Sequence, residues 1–200
     1  MFNPAVEYQN YPILAGADHD GTIKIWDLQT ECLMKTLNGH ENKVEAIAFS
    51  PDGQFLVSGS DDCTVKVWQV STGECIRTLE EHTEGVWSIA WSPNGQILAS
   101  GCIPGDRGAV IKLWDVQKWQ CLNTLEGHEH TVRSVAFTPD SQTLISGSAD
   151  CTLRLWNVWT GQCSNILTIP RPYEGMNITR IGGLTEIQKQ ALMALGARED

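Results

Sequence analysis

The sequence lacks long apolar runs, clustered cations and common signatures of catalytic sites. No stretch approaches the ~18 apolar residues that a membrane-spanning helix needs, and the first residues resemble no signal segment. Its 14 Lys and Arg stand against 24 Asp and Glu, a formal charge of −10, whereas phosphate-binding surfaces need clustered cations. The sequence contains neither a Walker-type phosphate loop nor a His-Glu-x-x-His motif. We therefore predict a cytoplasmic protein that binds neither membranes nor nucleic acid.

The seven cysteines do not form a disulfide or zinc pattern, because none belongs to a Cys-x-x-Cys pair. Six fall at two repeated positions, Cys32, Cys75, Cys121 and Cys163 at the first and Cys63 and Cys151 at the second. Such regular spacing favours packing on strands, so we expect free thiols. His128-Glu129-His130 has no further ligand at metal-binding spacing, and we predict no metal and no cofactor.

Four tryptophans divide the chain into repeats. Each one closes a short phrase such as Val65-Lys66-Val67-Trp68, and the intervals are 42, 46 and 42 residues (68−26, 114−68, 156−114) between Trp26, Trp68, Trp114 and Trp156. A period of this length with Gly-His and Trp-Asp marks is typical of WD-repeat β-propellers. The chain resembles that family over about residues 2–167.

The residues inside each repeat agree with this resemblance. Four short runs alternate in polarity with period two, and turn sequences such as Ser50-Pro51-Asp52-Gly53 separate them. A four-stranded antiparallel sheet cannot bury both apolar faces alone, so neighbouring sheets must stack. We predict an all-β propeller segment of about four four-stranded antiparallel blades in residues 1–168, with repeats at about 2–37, 38–79, 80–125 and 126–168.

The first repeat is predicted to be incomplete. Phe2-Asn3-Pro4 matches Phe49-Ser50-Pro51, and no Gly-His pair precedes it. The chain is therefore expected to open at the end of the innermost strand of a blade. This arrangement favours the C-terminal part of a longer propeller.

Residues 169–200 do not continue the repeat. Their prolines favour an extended linker, after which Thr185-Glu186-Ile187-Gln188 fits a capping box and predicts a short amphipathic helix over about 186–195. This tail is similar to those of bacterial, especially cyanobacterial, WD-repeat proteins. In such proteins propellers often accompany a signalling ATPase module, so the resemblance implies a bacterial signalling protein.

One recurring residue set contains the residue types of a serine hydrolase. In the family that this chain resembles, however, indole, hydroxyl, imidazole and turn carboxylate form a buried hydrogen-bonded brace inside each blade. A catalyst needs one activated nucleophile, whereas a brace is needed once per blade, so repetition favours the brace. The predicted brace residues are His40, Ser58, Asp62 and Trp68, then His82, Ser100 and Trp114, then His128, Ser146, Asp150 and Trp156, and in the first repeat Asp20 and Trp26.

Two repeats depart from the brace pattern. Residues 103–109 form an insertion in the third, which leaves open whether Asp106 reaches His82 and whether the loop is a contact loop or a neutral insertion. In the first repeat Gly16 stands at the Ser58 position and no histidine occupies the His40 position, so a brace cannot form there.

Positions that differ between repeats are the better candidates for partner binding. The resemblance implies that six such residues point toward the rim of the central channel, namely Glu45, Trp87, Arg133, Lys43, Asp61 and His19. Trp and Arg are enriched among interface hot spots, so we predict a partner-binding patch at Trp87 flanked by Glu45 and Arg133. The alternative, that Trp87 packs against a neighbouring blade, stays open.

Together these features predict a non-catalytic protein-interaction scaffold or sensor, the C-terminal part of a larger propeller or signalling protein. Its partners are predicted to be proteins, and its ring is expected to close through oligomerisation or through upstream repeats. The alternative is a hydrolytic enzyme with a pocket at the mouth of the propeller channel.

Overall fold

A computed structural model describes residues 2–8, 11–106, 108–168, 186–194 and 197–198, with side chains from residue 12 onward except those of residues 186, 187 and 194. These residues form sixteen strands and one helix. The strands are β1 (Phe2–Tyr8), β2 (Tyr11–Ala17), β3 (Ile23–Asp27), β4 (Cys32–Leu37), β5 (Val44–Phe49), β6 (Phe55–Ser60), β7 (Val65–Gln69), β8 (Cys75–Leu79), β9 (Val86–Trp91), β10 (Ile97–Cys102), β11 (Ala109–Asp115), β12 (Gln120–His128), β13 (Val132–Phe137), β14 (Thr143–Ser148), β15 (Thr152–Asn157) and β16 (Cys163–Thr168), and the helix is α1 (Glu186–Ala194).

The sixteen strands form four antiparallel sheets, each made of four consecutive strands. We call these sheets blades 1 to 4 in chain order. The predicted all-β architecture and the short C-terminal helix are confirmed. None of the described helical residues belongs to a helix long and apolar enough to cross a membrane. All seven cysteines are free thiols, as their spacing predicts.

The strand register repeats between blades and explains why the same residue types recur. Ser58 pairs with Lys66 in blade 2, and the corresponding pairs are Ser100 with Lys112 in blade 3 and Ser146 with Arg154 in blade 4. In each of these blades the brace tryptophan lies two residues after that Lys or Arg. Because side chains alternate along a strand, this spacing directs the indole to the same face of the sheet as the serine hydroxyl.

Blade 1 contains a first strand of seven residues, β1, although the sequence predicts only the end of one. Phe2 pairs with Gly16 as Ile47 pairs with Ser58, so Phe2 occupies the Ile47 position and not the Phe49 position. The register shifts between Asn3 and Val6, and the strand continues to Tyr8. An irregular edge strand tolerates proline, which explains why the Phe-Asn-Pro sequence lies within a strand here.

The apolar core consists of three clusters, one between each pair of consecutive blades. Between blades 2 and 3, for example, Val57, Val65 and Val67 meet Val86 and Leu98, all fully buried. Gly59 allows this contact, because a Cβ there would lie 2.6 Å from Val86 Cγ1. Blades therefore stack in chain order, each covering the sheet face of the blade before it.

Candidate functional site

Blades 2 and 4 each contain one buried chain of hydrogen bonds with nearly identical geometry. In blade 2, Asp62 Oδ2 lies 2.7 Å from His40 Nδ1, and His40 Nε2 lies 2.7 Å from Ser58 Oγ, which accepts the Trp68 indole N–H at 2.8 Å. An ionised carboxylate accepts the Nδ1 proton, so Nε2 accepts the serine O–H. In blade 4 the same three distances are 2.7, 2.7 and 2.8 Å, through Asp150, His128, Ser146 and Trp156.

The turn that carries the aspartate is held by the residues next to it. Thr64 donates to Asp62 Oδ1 from its backbone nitrogen at 2.9 Å and from its hydroxyl at 2.6 Å. Cys63 adopts the left-handed conformation with φ 68°, which brings Thr64 back to that carboxylate. The same geometry recurs around Asp150. The aspartate thereby reaches His40, which lies 22 residues earlier in the chain, in the connection between β4 and β5.

The electrostatics of this chain keep the aspartates charged and the histidines neutral. Burial tends to raise the pKa of Asp62 and Asp150, but the hydrogen bonds from threonine and histidine lower it, to about 2 for Asp150. Burial lowers the pKa of His40 and His128, although the partner carboxylates oppose this shift. Each histidine is therefore a neutral imidazole that donates its Nδ1 proton to the aspartate carboxylate.

This arrangement is unsuited to nucleophilic catalysis. Ser58 and Ser146 have no exposed surface, and each hydroxyl oxygen already bonds both an indole and an imidazole. A catalytic serine must meet its substrate at a cleft with a free trajectory. These two hydroxyls could meet a substrate only if the blade opened.

A second group of side chains lies where blades 2, 3 and 4 adjoin, and we call it the rim cluster: Asp61, Trp87 and Arg133. The indole N–H of Trp87 donates to Asp61 Oδ1 at 2.8 Å, and the guanidinium carbon of Arg133 lies 4.9 Å from the Trp87 ring centroid. Trp87 is half-buried, and Arg133 is exposed. Gly85 leaves space for the carboxylate, because a Cβ there would lie 2.8 Å from Asp61 Oδ1. Each blade thus contributes one residue to this row.

The other predicted rim residues, all among those described, contribute no side-chain contact to this row. The Lys43 carbonyl accepts the Asp61 backbone N–H at 2.9 Å, while the Lys43 side chain is exposed. Glu45 is half-buried and His19 is exposed. Within the part of the chain that the structure describes, no side-chain hydrogen bond or ion pair joins these three residues to the rim cluster. The described residues also contain no group of His, Cys, Asp and Glu suited to hold a metal ion.

Comparison with protein-family models decides the family. The model of the WD40 family, described as "WD domain, G-beta repeat", matches residues 5–27, 31–69, 73–115 and 119–157. The chain belongs to the WD40 repeat family. The last three matches each begin at or just before the last strand of one blade and end with the third strand of the next, so the repeat unit is offset from the blade.

Curated relatives match over about one WD40 repeat. They include the nuclear distribution proteins PAC1 of Coccidioides posadasii, 49% identical over 49 residues, nudF 2 of Aspergillus clavatus, 52% over 48, and nudF 1 of Talaromyces marneffei, 53% over 47. Each alignment covers 24% of this chain, which spans only 10–11% of the length of these relatives. All three are fungal, so they give no support to the bacterial type that the sequence of the tail predicts.

Blade 3 departs from the WD40 brace at one atom. His82 Nε2 lies 2.7 Å from Ser100 Oγ, which accepts the Trp114 indole N–H at 2.8 Å, but His82 Nδ1 has no hydrogen-bond partner among the described residues. Asp106 is exposed and does not take the place of Asp62. Burial, with a smaller effect from the Lys112 charge, lowers the pKa of His82 to about 3. Three of the four groups of the brace are therefore present in blade 3.

The insertion in blade 3 borders a cavity that the sequence does not predict. Gly105 and Gly108 pair across the loop, and the cavity beneath has a volume of about 420 Å³. Of the described residues, four acidic ones and one cation line it: Glu81, Glu84, Asp106 and Glu126, with Lys112. Cys102 and Val110 also line it, at the positions that Ser60 and Thr64 occupy in blade 2. The loop thus replaces a tight turn with an acidic recess.

Blade 1 retains only the turn of the brace. Asp20 Oδ1 accepts hydrogen bonds from the Thr22 backbone nitrogen at 2.9 Å and the Thr22 hydroxyl at 2.6 Å. Gly16 pairs with Lys24 as Ser58 pairs with Lys66, so Trp26 has no serine hydroxyl at that position. The half-buried indole of Trp26 also lacks the histidine that precedes the other blades.

Proposed function

We propose that this WD40 chain is a non-catalytic protein-interaction scaffold or sensor, and that its partner binds at the rim cluster. The observation that carries the proposal is the row formed by Asp61, Trp87 and Arg133. It crosses three blades, and its residue types do not repeat from blade to blade, unlike those of the brace. A partly exposed indole with its N–H fixed and a cation over its ring is a rigid anchor of the kind found at interface hot spots.

The brace is proposed to hold the blades rigid under this surface. The burial of Ser58 and Ser146 supports the non-catalytic part of the proposal, and no observation favours a hydrolase. WD40 repeats serve generally as protein-binding modules, and the fungal relatives carry names of nuclear distribution proteins. Because the matched segment is about one repeat long, it supports a shared repeat and does not identify a shared partner.

We further propose that the chain is the C-terminal part of a larger cytoplasmic propeller or signalling protein, with residues 1–168 as the propeller segment and 169–200 as linker and helix. Protein partners that bind at a rim need a ring that holds its blades in fixed positions. The ring would close through further repeats or through oligomerisation.

A displayed peptide library, selected on the wild-type protein alone, tests the rim cluster. For the selected peptides we expect Trp87→Ala to weaken binding about 30-fold, the size of a hot spot of about 2 kcal/mol. The melting temperature should change little, because Trp87 is only half-buried. Fluorescence polarisation measures the affinity.

Trp159→Ala is the matched control, since Trp159 is 60% exposed in the turn between β15 and β16, at the opposite end of the sheet. It should leave the affinity unchanged. Equal binding to wild type and Trp87→Ala would contradict the proposal. A large fall in the melting temperature of Trp87→Ala would instead identify Trp87 as a packing residue.

A further inference from the structure

Within the described part of the chain, no blade covers one face of blade 4, whereas the corresponding faces of the other blades are buried. Val65 and Val67 in blade 2 are fully buried and Leu79 is 6% exposed. Their register equivalents in blade 4 are Leu153, Leu155 and Leu167, of which the first two are half-buried and Leu167 is 49% exposed. We call these three leucines, with Ile145, the open face of blade 4.

Among the described residues, no blade covers the opposite face of blade 1. In blade 2 the residues that pack onto the preceding blade include Leu56, Trp68 and Val70, exposed by 0%, 1% and 2%. Their equivalents in blade 1 are Leu14 and Trp26, both half-buried, and Leu28, which is 42% exposed. We call these three residues the open face of blade 1.

The two open faces are the two halves of a contact that the chain already makes three times. Each of the three core clusters joins one face of the kind open in blade 4 to one face of the kind open in blade 1. A contact between two different faces is heterologous and can close into a ring. The chemistry on each side is apolar, as in the internal contacts.

We propose that a second copy of this chain covers the open face of blade 4 with its own open face of blade 1. When both copies do so reciprocally, two sets of four blades form one closed ring of eight, within the ~4–8 blades that propellers use. This pairing buries both open faces of both copies. The dimer uses surfaces separate from the rim cluster, so its test is independent of the test of the proposed partner site.

The contact between copies should be weaker than the internal contacts. In the internal contacts Val86 and Val132 reach over Gly59 and Gly101 of the preceding blade. Among the described residues of blade 1, β1 begins at the Ile47 position and supplies no counterpart to these valines. The dimer is therefore expected to dissociate on dilution.

Sedimentation velocity and light scattering over a wide concentration range test the proposal. The wild-type protein should change from a species of 22.1 kDa at high dilution to one of twice that mass. Leu155→Glu and Leu28→Glu, on the two open faces, should each remain monomeric at concentrations where wild type is dimeric. Leu122→Glu, at a residue 46% exposed on β12 of the interior blade 3, is the matched control and should dimerise as wild type does.

Mixing the two monomeric variants distinguishes a head-to-tail contact from a contact between like faces. A head-to-tail pair leaves one unaltered contact in the mixture, so a dimer should reappear, at higher concentration than for wild type. Circular dichroism establishes first that each variant is folded. A wild-type monomer at every concentration, a dimer insensitive to both variants, a mass above the dimer or a mixture that stays monomeric would each overturn the proposal. Further repeats, or contact between like faces, would then cover the open faces.

Discussion

Acid should destabilise this protein through His82, well above the pH at which its carboxylates protonate. The pKa of His82 is lowered from 6.5 to about 3 in the folded chain, because the imidazole is buried and no carboxylate among the described residues faces it. Between those two values the unfolded chain binds a proton at this side chain and the folded chain does not. Stability is therefore complete above pH 6.5 and falls as the pH decreases toward 3.

The magnitude at pH 5 follows from the same difference. The unfolded imidazole gains about 1.4 kcal/mol for each pH unit below its pKa, so lowering the pH from 7 to 5 should cost about 2 kcal/mol at His82. His40 and His128 add loss in the same direction, since burial lowers their pKa as well. Asp62 and Asp150 contribute nothing in this range. Their lowered pKa values remove stability only as the pH falls below about 4.

Urea unfolding at pH 7 and pH 5 measures this loss, with His82→Phe as the test variant. The variant loses the hydrogen bond to Ser100 and should be less stable at pH 7 by about 1–3 kcal/mol. Its further loss between pH 7 and pH 5 should be smaller than that of wild type by about 2 kcal/mol. His130→Gln, at an exposed histidine, is the matched control. An equal pH-dependent loss in wild type and His82→Phe would refute the reasoning.

Two further substitutions test the brace and the contact between blades. Ser146→Ala removes the hydroxyl shared by His128 and Trp156, and the two unsatisfied groups should reduce the free energy of unfolding by about 1–3 kcal/mol in urea titrations. Gly101→Ala places a Cβ about 2.6 Å from Val132 Cγ1 and should cost about 1–3 kcal/mol by overpacking. Adding Val132→Ala should recover part of that loss, and strict additivity in this double-mutant cycle would argue against the steric explanation.

The repeat pattern predicts the sheets well, because each blade uses the same local rules. Alternating residues define the strands, and the intervals between tryptophans define where the sheets end. The same comparison misplaces Phe2 by two positions, since it matches Phe-x-Pro as a turn signal. The register of β1 against β2 depends on the backbone hydrogen bonds that Gly16 and its neighbours make. Residue types alone do not determine this register.

Contacts between blades are harder to predict than contacts within them. The sequence places Trp87 and Asp61 among the residues that vary, but their 2.8 Å hydrogen bond joins side chains 26 residues apart on different sheets. That contact depends on how closely blades 2 and 3 approach, and Gly85 sets the space for it. The missing partner of His82 Nδ1 is hard to predict for a similar reason, because the loop after Cys102 is four residues longer than the corresponding turn in blade 2 and can fold in several ways.

The two ends of the sheets differ in how much their residues vary between blades, and this difference bears on function. At the end where the first strand of each blade finishes, one hydrogen bond recurs, from Ser50 to Asp52 at 2.6 Å, from Ser92 to Asn94 at 2.7 Å and from Thr138 to Asp140 at 2.6 Å. At the end where those strands begin, the aspartate turn recurs in blades 1, 2 and 4, but Trp87, the insertion and the acidic cavity each occur in one blade. A uniform turn needs the same short polar side chain in each blade, whereas a surface that selects a partner needs residues that differ. The rim cluster lies at the end of the sheets where residue types differ from blade to blade.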